Sequence, residues 1–538
     1  MLRKIKLDGK QIRDICFVLV ISLVFSLYSG MCAYSSVDYG TVIQLMWAAF
    51  FLWLVFFSLI VCCKKNHWIK IQPVKLKICT DWNVSTKKKF FALFLITCVL
   101  WVPAYLAMFP GVLGYDTPGQ MYDLLVTGDL NSQHPVLHTL LMSWIIYLVG
   151  GLFHNYTVGM AVYSALQAMV LIHATVRLYV FLRRRGVNSI ISGGLYAAIV
   201  FNPNVQTLAF NATKDVLFAG FFLEFTISIF DLMLDQEYFD LSVKNKAIRL
   251  LPITGWGTLF CLFRSQGIYI VFFMVLISLI TKNLRKKFLV MFIVIFVVSK
   301  CFQLICTYGF DIKQVNSREM YSVPMQQVAS VCNKYLEGKA EVNITEEQLS
   351  VIEEVIPEEG LRAYDYESAD PVKSTFNTDV FKANKGRYLS VYFKVGLQNK
   401  RIYLRAFLDE ISPYWDMTLN GYRGLAFLYP FTDLNVWNIA SQTKAPTYFA
   451  YLQRMEALAM YDQIPVLGWI FNPGIWVWIL SYIGIYGCFY KKGRLLYVAL
   501  PIMLYFGTTL LGPIALVRYS LSLIMVVPAI VGYACLKK

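Results

Sequence analysis

FPGVLGYDTPGQMYDLLVTGDLNSQHPVLH, residues 109–138, interrupts the apolar sequence on either side of it. Apolar runs flank it at 90–108 and 136–153. Inside it lie Asp116, Asp123, Asp129, His134 and His138, set among Pro110, Gly111, Gly114, Pro118, Gly119 and Pro135. Acids and turn formers between two apolar runs describe a structured loop at a membrane face. Working outward, every candidate residue must be judged by whether it shares that face.

Composition supports the membrane setting. Of 538 residues, 57% are hydrophobic and 15% charged, and mean hydropathy is +0.55. Soluble domains carry about a quarter charged residues. Apolar runs of about 20 residues recur, enough to cross a hydrocarbon core. The expectation is an all-α polytopic membrane protein of about 10–12 membrane helices. The net charge of +16 is no argument for nucleic acid. Its Lys and Arg sit in short blocks beside apolar runs, as in cytoplasmic loops. Most of the 12 Cys lie in or beside apolar runs, without metal-ligand spacing.

Positive-inside reasoning orients the chain. Residues 1–14 are basic, the first span follows from Ile15, and no small-x-small site suggests cleavage. Spans at 15–34 and 42–63, with a basic loop at 64–89, make up an N-terminal region, 1–89. A transmembrane module follows at 90–307, with the external loop 109–135. Arg183, Arg184 and Arg185 place the end of the 158–182 run inside, so 136–153 is expected to be re-entrant or interfacial; the alternative makes it a full span and puts the three arginines outside. Runs at 187–209 and 216–234 follow, then a hairpin at 250–281 broken near Arg264 and a span at 288–307. Residues 308–465 are polar and mixed in charge, a soluble extracytoplasmic domain of mixed character. Thr345 caps a helix there, 388–395 is amphipathic enough to lie on the membrane, and Tyr414, Trp415, Tyr429, Phe431 and Trp437 suit headgroups or a sugar. Three closing spans fill 466–538, at 469–490, 495–511 and 519–536.

On this topology Asp116, His134, Lys214, Asp215, Arg264 and Arg518 share one face. Ionisable residues at membrane depth are functional candidates by default. A carboxylate can take a hydroxyl proton or bind a metal, and cations can hold a phosphate. Each residue also has a structural reading. Asp116 before Thr117-Pro118 suits an Asx-turn, and Asp215 suits the first turn of a helix. His134-Pro135 suits a helix start, Arg264 an internal ion pair, and Arg518 a headgroup contact.

The pieces FPGVLGYDTPGQ, QHPVLHTLL, NATKDVLFA, FRSQGIY, SREMYSVPMQQVA, SADPVK and GPIALVRYSL resemble an uncharacterised family of bacterial multi-pass membrane proteins. The loop acid Asp116, His134-Pro135 opening the next apolar run, and Lys214-Asp215 in the next external loop resemble the GT-C superfamily of glycosyltransferases. Where that superfamily has a second Pro, this chain has Val136. The resemblance implies a GT-C-like fold and an inverting transfer from a polyprenyl-phosphate-linked sugar donor to an envelope glycan, glycolipid or protein acceptor at the outer face. It implies Asp116 and Asp215 as catalytic residues, with His134, Lys214, Arg264, Gln266, Arg518 and Tyr519 binding substrate. A divalent metal, Mg or Mn, would fall to Asp116 and Asp215. Two other readings stand beside it: a transporter or flippase of lipid-linked or anionic solutes, and a non-enzymatic envelope assembly protein. Against a transporter, no internal repeat with matching broken helices is visible.

Overall fold

The structure, a computed structural model, describes residues 8–33, 39–65, 86–310, 312, 317–339, 341–416, 436–456 and 472–536. The N-terminal hairpin α1 (Gly9–Ala33) and α2 (Tyr39–Lys65) precedes α3 (Thr86–Ala107). The 109–138 stretch then holds short α4 (Thr117–Tyr122) and a π-helical turn, Asp123–Thr127. Helices α5 (Val136–Leu152), α6 (Tyr156–Arg184), α7 (Ser189–Val200), α8 (Pro203–Ala209), α9 (Lys214–Leu234), α10 (Val243–Phe263), α11 (Ser265–Ile280) and α12 (Lys282–Gly309) follow. A helical module comes next: α13 (Ser322–Leu336), α14 (Glu346–Glu353), α15 (Glu358–Arg362), α16 (Asp370–Thr375), α17 (Thr378–Ala383), α18 (Lys385–Gln398) and α19 (Lys400–Ile411). The chain closes with α20 (Pro446–Glu456), α21 (Gly474–Phe489), α22 (Gly493–Thr509) and α23 (Val517–Ala534).

Seven described helices, α1, α2, α3, α6, α9, α12 and α23, contain stretches long and apolar enough to cross a membrane, and α5, α7, α11 and α21 are shorter apolar helices. Together they fall within the expected range. This is an all-α, multi-pass membrane protein. Among the described residues no strand forms; extended pairing is limited to isolated bridges, Val112 with Asn211, Asp365 with Ser368, and Ser368 with Ile514.

Helix α9 is the centre. Its sequence, KDVLFAGFFLEFTISIFDLML, is apolar on nearly every side, so it has no face to offer water and is almost wholly buried. Helices α6, α10 and α23 enclose it. Helix α6 runs parallel to it: Val170 and Leu171 lie at Gly220, Arg177 at Glu224 and Arg185 at Asp231. A Cβ at Gly220 would lie 2.9 Å from Val170 Cγ1, so the small residue sets this close approach. Helix α5 packs antiparallel on the first turns of α6, with Gly150 against Tyr156 and the Ile146 carbonyl against Gly159. It lies beside the part of α6 that precedes the contact with α9.

Three expectations need correction. The 187–209 run is not one helix: Asn202 breaks it, its side chain accepting from Asn204 N at 3.0 Å to cap α8. The 308–465 region, expected to be mixed, forms helices and no strand among its described residues, with a core that includes Val331, Cys332, Ile352, Val372 and Val395. The 388–395 segment contributes Tyr388 and Val395 to that core from α18, and leaves Phe393 exposed on its other face. Tyr414 and Trp415 are also buried, and Trp478 Nε1 donates to the Trp415 carbonyl at 2.9 Å. Thr345 caps α14 as expected, within a capping box with Gln348. The 66–85 part of the basic loop, Tyr429 and Phe431 lie outside the described residues.

The N-terminal hairpin is built into the bundle. Phe17 sits among Tyr482, Tyr486, Phe489 and Tyr490, and Tyr490 donates to Asp14 Oδ1 at 3.0 Å. The helical module is joined to the loop before α23, where Ala369 N donates to the Pro513 carbonyl at 2.8 Å.

One buried acid in that module has a thermodynamic consequence. Glu410 is sealed, and neither carboxyl oxygen has a hydrogen-bond partner. Burial, helped by nearby Asp370, pushes its carboxyl up to about 8. A folded-state value above the unfolded one means that stability falls as pH rises between the two, from 4.5 towards about 8. Glu410→Gln should therefore raise stability at pH 7.5 by up to about 3 kcal/mol and flatten its pH dependence. Thermal unfolding of the full chain in detergent between pH 4.5 and 8 measures this.

Candidate active site

The site begins with a backbone zipper. Val112 N donates to the Phe210 carbonyl and Ala212 N to the Val112 carbonyl, both at 2.9 Å, tying the 109–116 loop to the turn before α9. Two buried side chains of α6 fix both partners. Gln167 Nε2 donates to the carbonyls of Ala209 and Asn211 at 2.9 and 2.7 Å, and Ser164 Oγ donates to that of Pro110 at 2.8 Å. Gly111 stands at φ 115° against Ser164 and Met160, where a side chain would have neither the torsion nor the space. The zipper brings Asp116 beside Lys214.

Tyr115 takes a left-handed φ of 55°, a conformation costing a tyrosine about 1–2 kcal/mol. In return its ring lies 4.1 Å under the Arg518 guanidinium. Asp116 precedes α4, but its side chain makes no capping hydrogen bond. The Asx-turn reading therefore fails. The carboxylate faces cations: Oδ2 is 3.7 Å from Lys214 Nζ, 3.7 Å from an Arg518 terminal nitrogen and 4.0 Å from His134 Nδ1.

Asp215, one residue into α9, faces the other way. Its carboxylate pairs with Arg264, the residue at the break between α10 and α11, and lies 3.8 Å from Arg518 Nε. Its side chain is 1% exposed, whereas that of Asp116 is 39% exposed. Arg264 Nε donates to Gln266 Oε1 at 2.7 Å. Tyr519 lies between the two guanidiniums, its ring centre 4.6 Å from Arg264 and 5.0 Å from Arg518. Every predicted site residue thus falls in one cluster, but in two layers. Asp116, His134 and Lys214 form the more open layer. Asp215, Arg264, Gln266, Arg518 and Tyr519 form the deeper one. The Asp215 carboxylate is sealed between the two arginines.

The charges sort the chemistry. Burial raises the Asp116 carboxyl, but Lys214 and then Arg518 outweigh it and hold the group at about 2. Burial and then Lys214 push His134 down to about 3, so it is neutral. Lys214 Nζ donates to its Nδ1 at 3.1 Å, which leaves the ring proton on Nε2. Lys214, Arg264 and Arg518 therefore stand against two carboxylates, and the cluster has an uncompensated positive charge. The donors do not fit a divalent cation. Asp215 is committed to two guanidiniums, Asp116 faces Lys214 and Arg518, and no group of three ligating side chains occurs among the described residues.

Two features were not read from the sequence. Tyr505 OH accepts from Arg264 at 3.2 Å and donates to the Tyr519 carbonyl at 2.7 Å, bracing the deeper layer. A buried relay, Gln120–His138–Tyr163, backs α4: His138 Nδ1 is 3.1 Å from Gln120 Oε1 and Nε2 is 3.2 Å from Tyr163 OH. His138 stood in the quoted stretch, but only packing shows that it faces inward. SADPVK and GPIALVRYSL, far apart in sequence, meet here, since Ser368 and Ala369 hold Pro513 and Ile514 just ahead of Arg518.

Asp215→Asn should leave two buried guanidiniums without their carboxylate and cost about 3–5 kcal/mol. Asp116→Asn, at the more open layer, should change stability by about 1 kcal/mol or less. Thermal unfolding of both variants in detergent checks the contrast.

Comparison with known proteins gives a family match and a distant structural one. The sequence profile of a family of unknown function (DUF6020) matches residues 126–536. No curated protein matches. Among solved structures, the crystal structure of ArnT from Cupriavidus metallidurans bound to undecaprenyl phosphate is similar at 14% identity and a TM-score of 0.31, covering 83% of this chain and 78% of that one.

Proposed function

The chain belongs to that family of unknown function, and we propose that it is a GT-C-like inverting glycosyltransferase, moving a sugar from a polyprenyl-phosphate donor to an envelope glycan, glycolipid or protein acceptor at the outer face of the membrane. The observation carrying this reading is the two-layer charge arrangement. An exposed carboxylate, Asp116, stands in front of a cationic layer held in place by a sealed one, Asp215. An excess of cations invites an anion, and guanidiniums suit phosphate oxygens.

The donor phosphate sits against Arg518 and Arg264, with Lys214 at its edge. The acceptor hydroxyl oxygen attacks the anomeric carbon from the side opposite the phosphate. The carbon–oxygen bond to phosphate breaks, its electron pair leaves with the lipid phosphate, and the hydroxyl proton passes to Asp116. The cations stabilise charge developing on the leaving phosphate. A carboxylate held at about 2 is a poor base. The arriving phosphate shares the same cations and so raises the proton affinity of Asp116 when the substrate is in place. Asp215 and Gln266 are positioning residues, fixing the arginines. His134 remains neutral and accepts from Lys214, aiming the ammonium.

A transporter of anionic lipids would use the same cations but would have no need of Asp116. Transfer of radiolabelled sugar from polyprenyl-phosphate donors to envelope extract by the purified protein distinguishes the two. Asp116→Asn should lower kcat about 10²–10⁴-fold; unchanged transfer would sink the assignment. Donor binding should also be flat from pH 5 to 8 on account of Asp116 and His134, which titrate at about 2 and about 3. A rise in affinity below pH 6.5 that His134→Gln removes would contradict the neutral histidine.

A further inference from the structure

The other end of α9 holds a second polar site. Asp231 lies 16 residues beyond Asp215 in α9, roughly 24 Å along the axis. There α6, α9 and α10 line a cavity of about 520 Å³ that contains Arg177, Arg184, Arg185, Arg249 and Asp231. Its polar floor is built in. The Glu224 carboxylate is 1% exposed and pairs with Arg177, and its Oε1 is 2.6 Å from His173 Nδ1. Arg177 also donates to Ser228 Oγ at 2.9 Å.

The mouth is arranged for an anion. Asp231 bridges Arg185 at 3.1 Å and Arg177 at 4.0 Å, as a two-oxygen anion would. Arg249 pairs with Asp235 at 2.9 Å yet is 63% exposed. Arg184 is exposed on the cavity wall and has no ion pair among the described residues. The remaining wall is apolar: Val180, Phe181, Ile227, Leu232, Pro252 and Ile253. Arginines at the end of a membrane bundle above an apolar wall match an anionic head above an acyl chain. A freely soluble anion would have no use for that wall.

We infer that this groove binds the phosphate head of an anionic membrane lipid, with Arg184 and Arg185 on the phosphate and the α6–α10 wall along the first part of the acyl chain. It stands apart from the transfer reading, since no residue is shared with the Asp116 cluster. The test uses the full chain in neutral detergent and counts bound molecules by native mass spectrometry. The probes are phosphatidylglycerol, phosphatidylcholine and inorganic phosphate. Phosphatidylglycerol should bind saturably and better than phosphatidylcholine. Arg184→Gln, which breaks no ion pair and leaves the fold intact, should weaken it about tenfold, and Arg184→Gln/Arg185→Gln further. Arg362→Gln, on the helical module, should change nothing. Equal binding of both lipids, or an Arg184→Gln protein that binds as the wild type does, overturns the inference. Binding of inorganic phosphate without phosphatidylglycerol overturns the lipid assignment too, and gives the groove to a soluble anion.

Discussion

A single sealed carboxylate, Asp215, lies between two buried guanidiniums, Arg264 and Arg518. Removing three charges from water is costly, and the arrangement holds only because the geometry is supported all round. The support comes from separate parts of the chain. The break between α10 and α11 supplies Arg264. The first turn of α9 supplies Asp215, and the first turn of α23 supplies Arg518. Tyr505 and Tyr519 fill the gaps between them. One carboxylate cannot neutralise two arginines, so the deeper layer keeps an excess of positive charge. Asp116 answers it only in part, from a more open position, and the proposed phosphate binding rests on that incompleteness.

The more open layer depends on backbone rather than on side-chain choice. The zipper between 112 and 210–212 sets the height of Asp116, and the strained Tyr115 turns it towards Lys214. Strain of this kind persists where the surroundings over-determine it, and it gathers at functional positions. The helical module reaches the same place from the other side through its hold on Pro513 and Ile514. Its sequence motifs thus help position Arg518 without any of their side chains entering the cluster.

Much of this was legible in the chain. Hydropathy and turn signals marked the helices, and polar residues at membrane depth marked the site; Asp116, Lys214, Asp215, Arg264 and Arg518 do meet. What the sequence hid was partnership. Asp215 and Arg264 are 49 residues apart and Asp116 lies at the far end of the chain from Arg518. No local pattern says which carboxylate each arginine takes. Exposure was equally hidden: packing alone separates the open carboxylate of Asp116 from the sealed counter-ion of Asp215. Tyr414 and Trp415 misled for the same reason, since an aromatic pair in a polar segment reads as surface until the helices that cover it are placed. The break at Asn202 was written in the sequence, as Asn before Pro is a helix start, but the apolar residues on either side masked it.

Equilibrium binding of a short-chain polyprenyl monophosphate to the full chain in neutral detergent reads the charge balance of the cluster without requiring the acceptor. If an excess of cations holds the phosphate, Asp116→Asn should bind several-fold tighter than the wild type. Arg518→Gln should bind about tenfold weaker. Weaker binding by Asp116→Asn, or binding indifferent to both changes, would contradict the account.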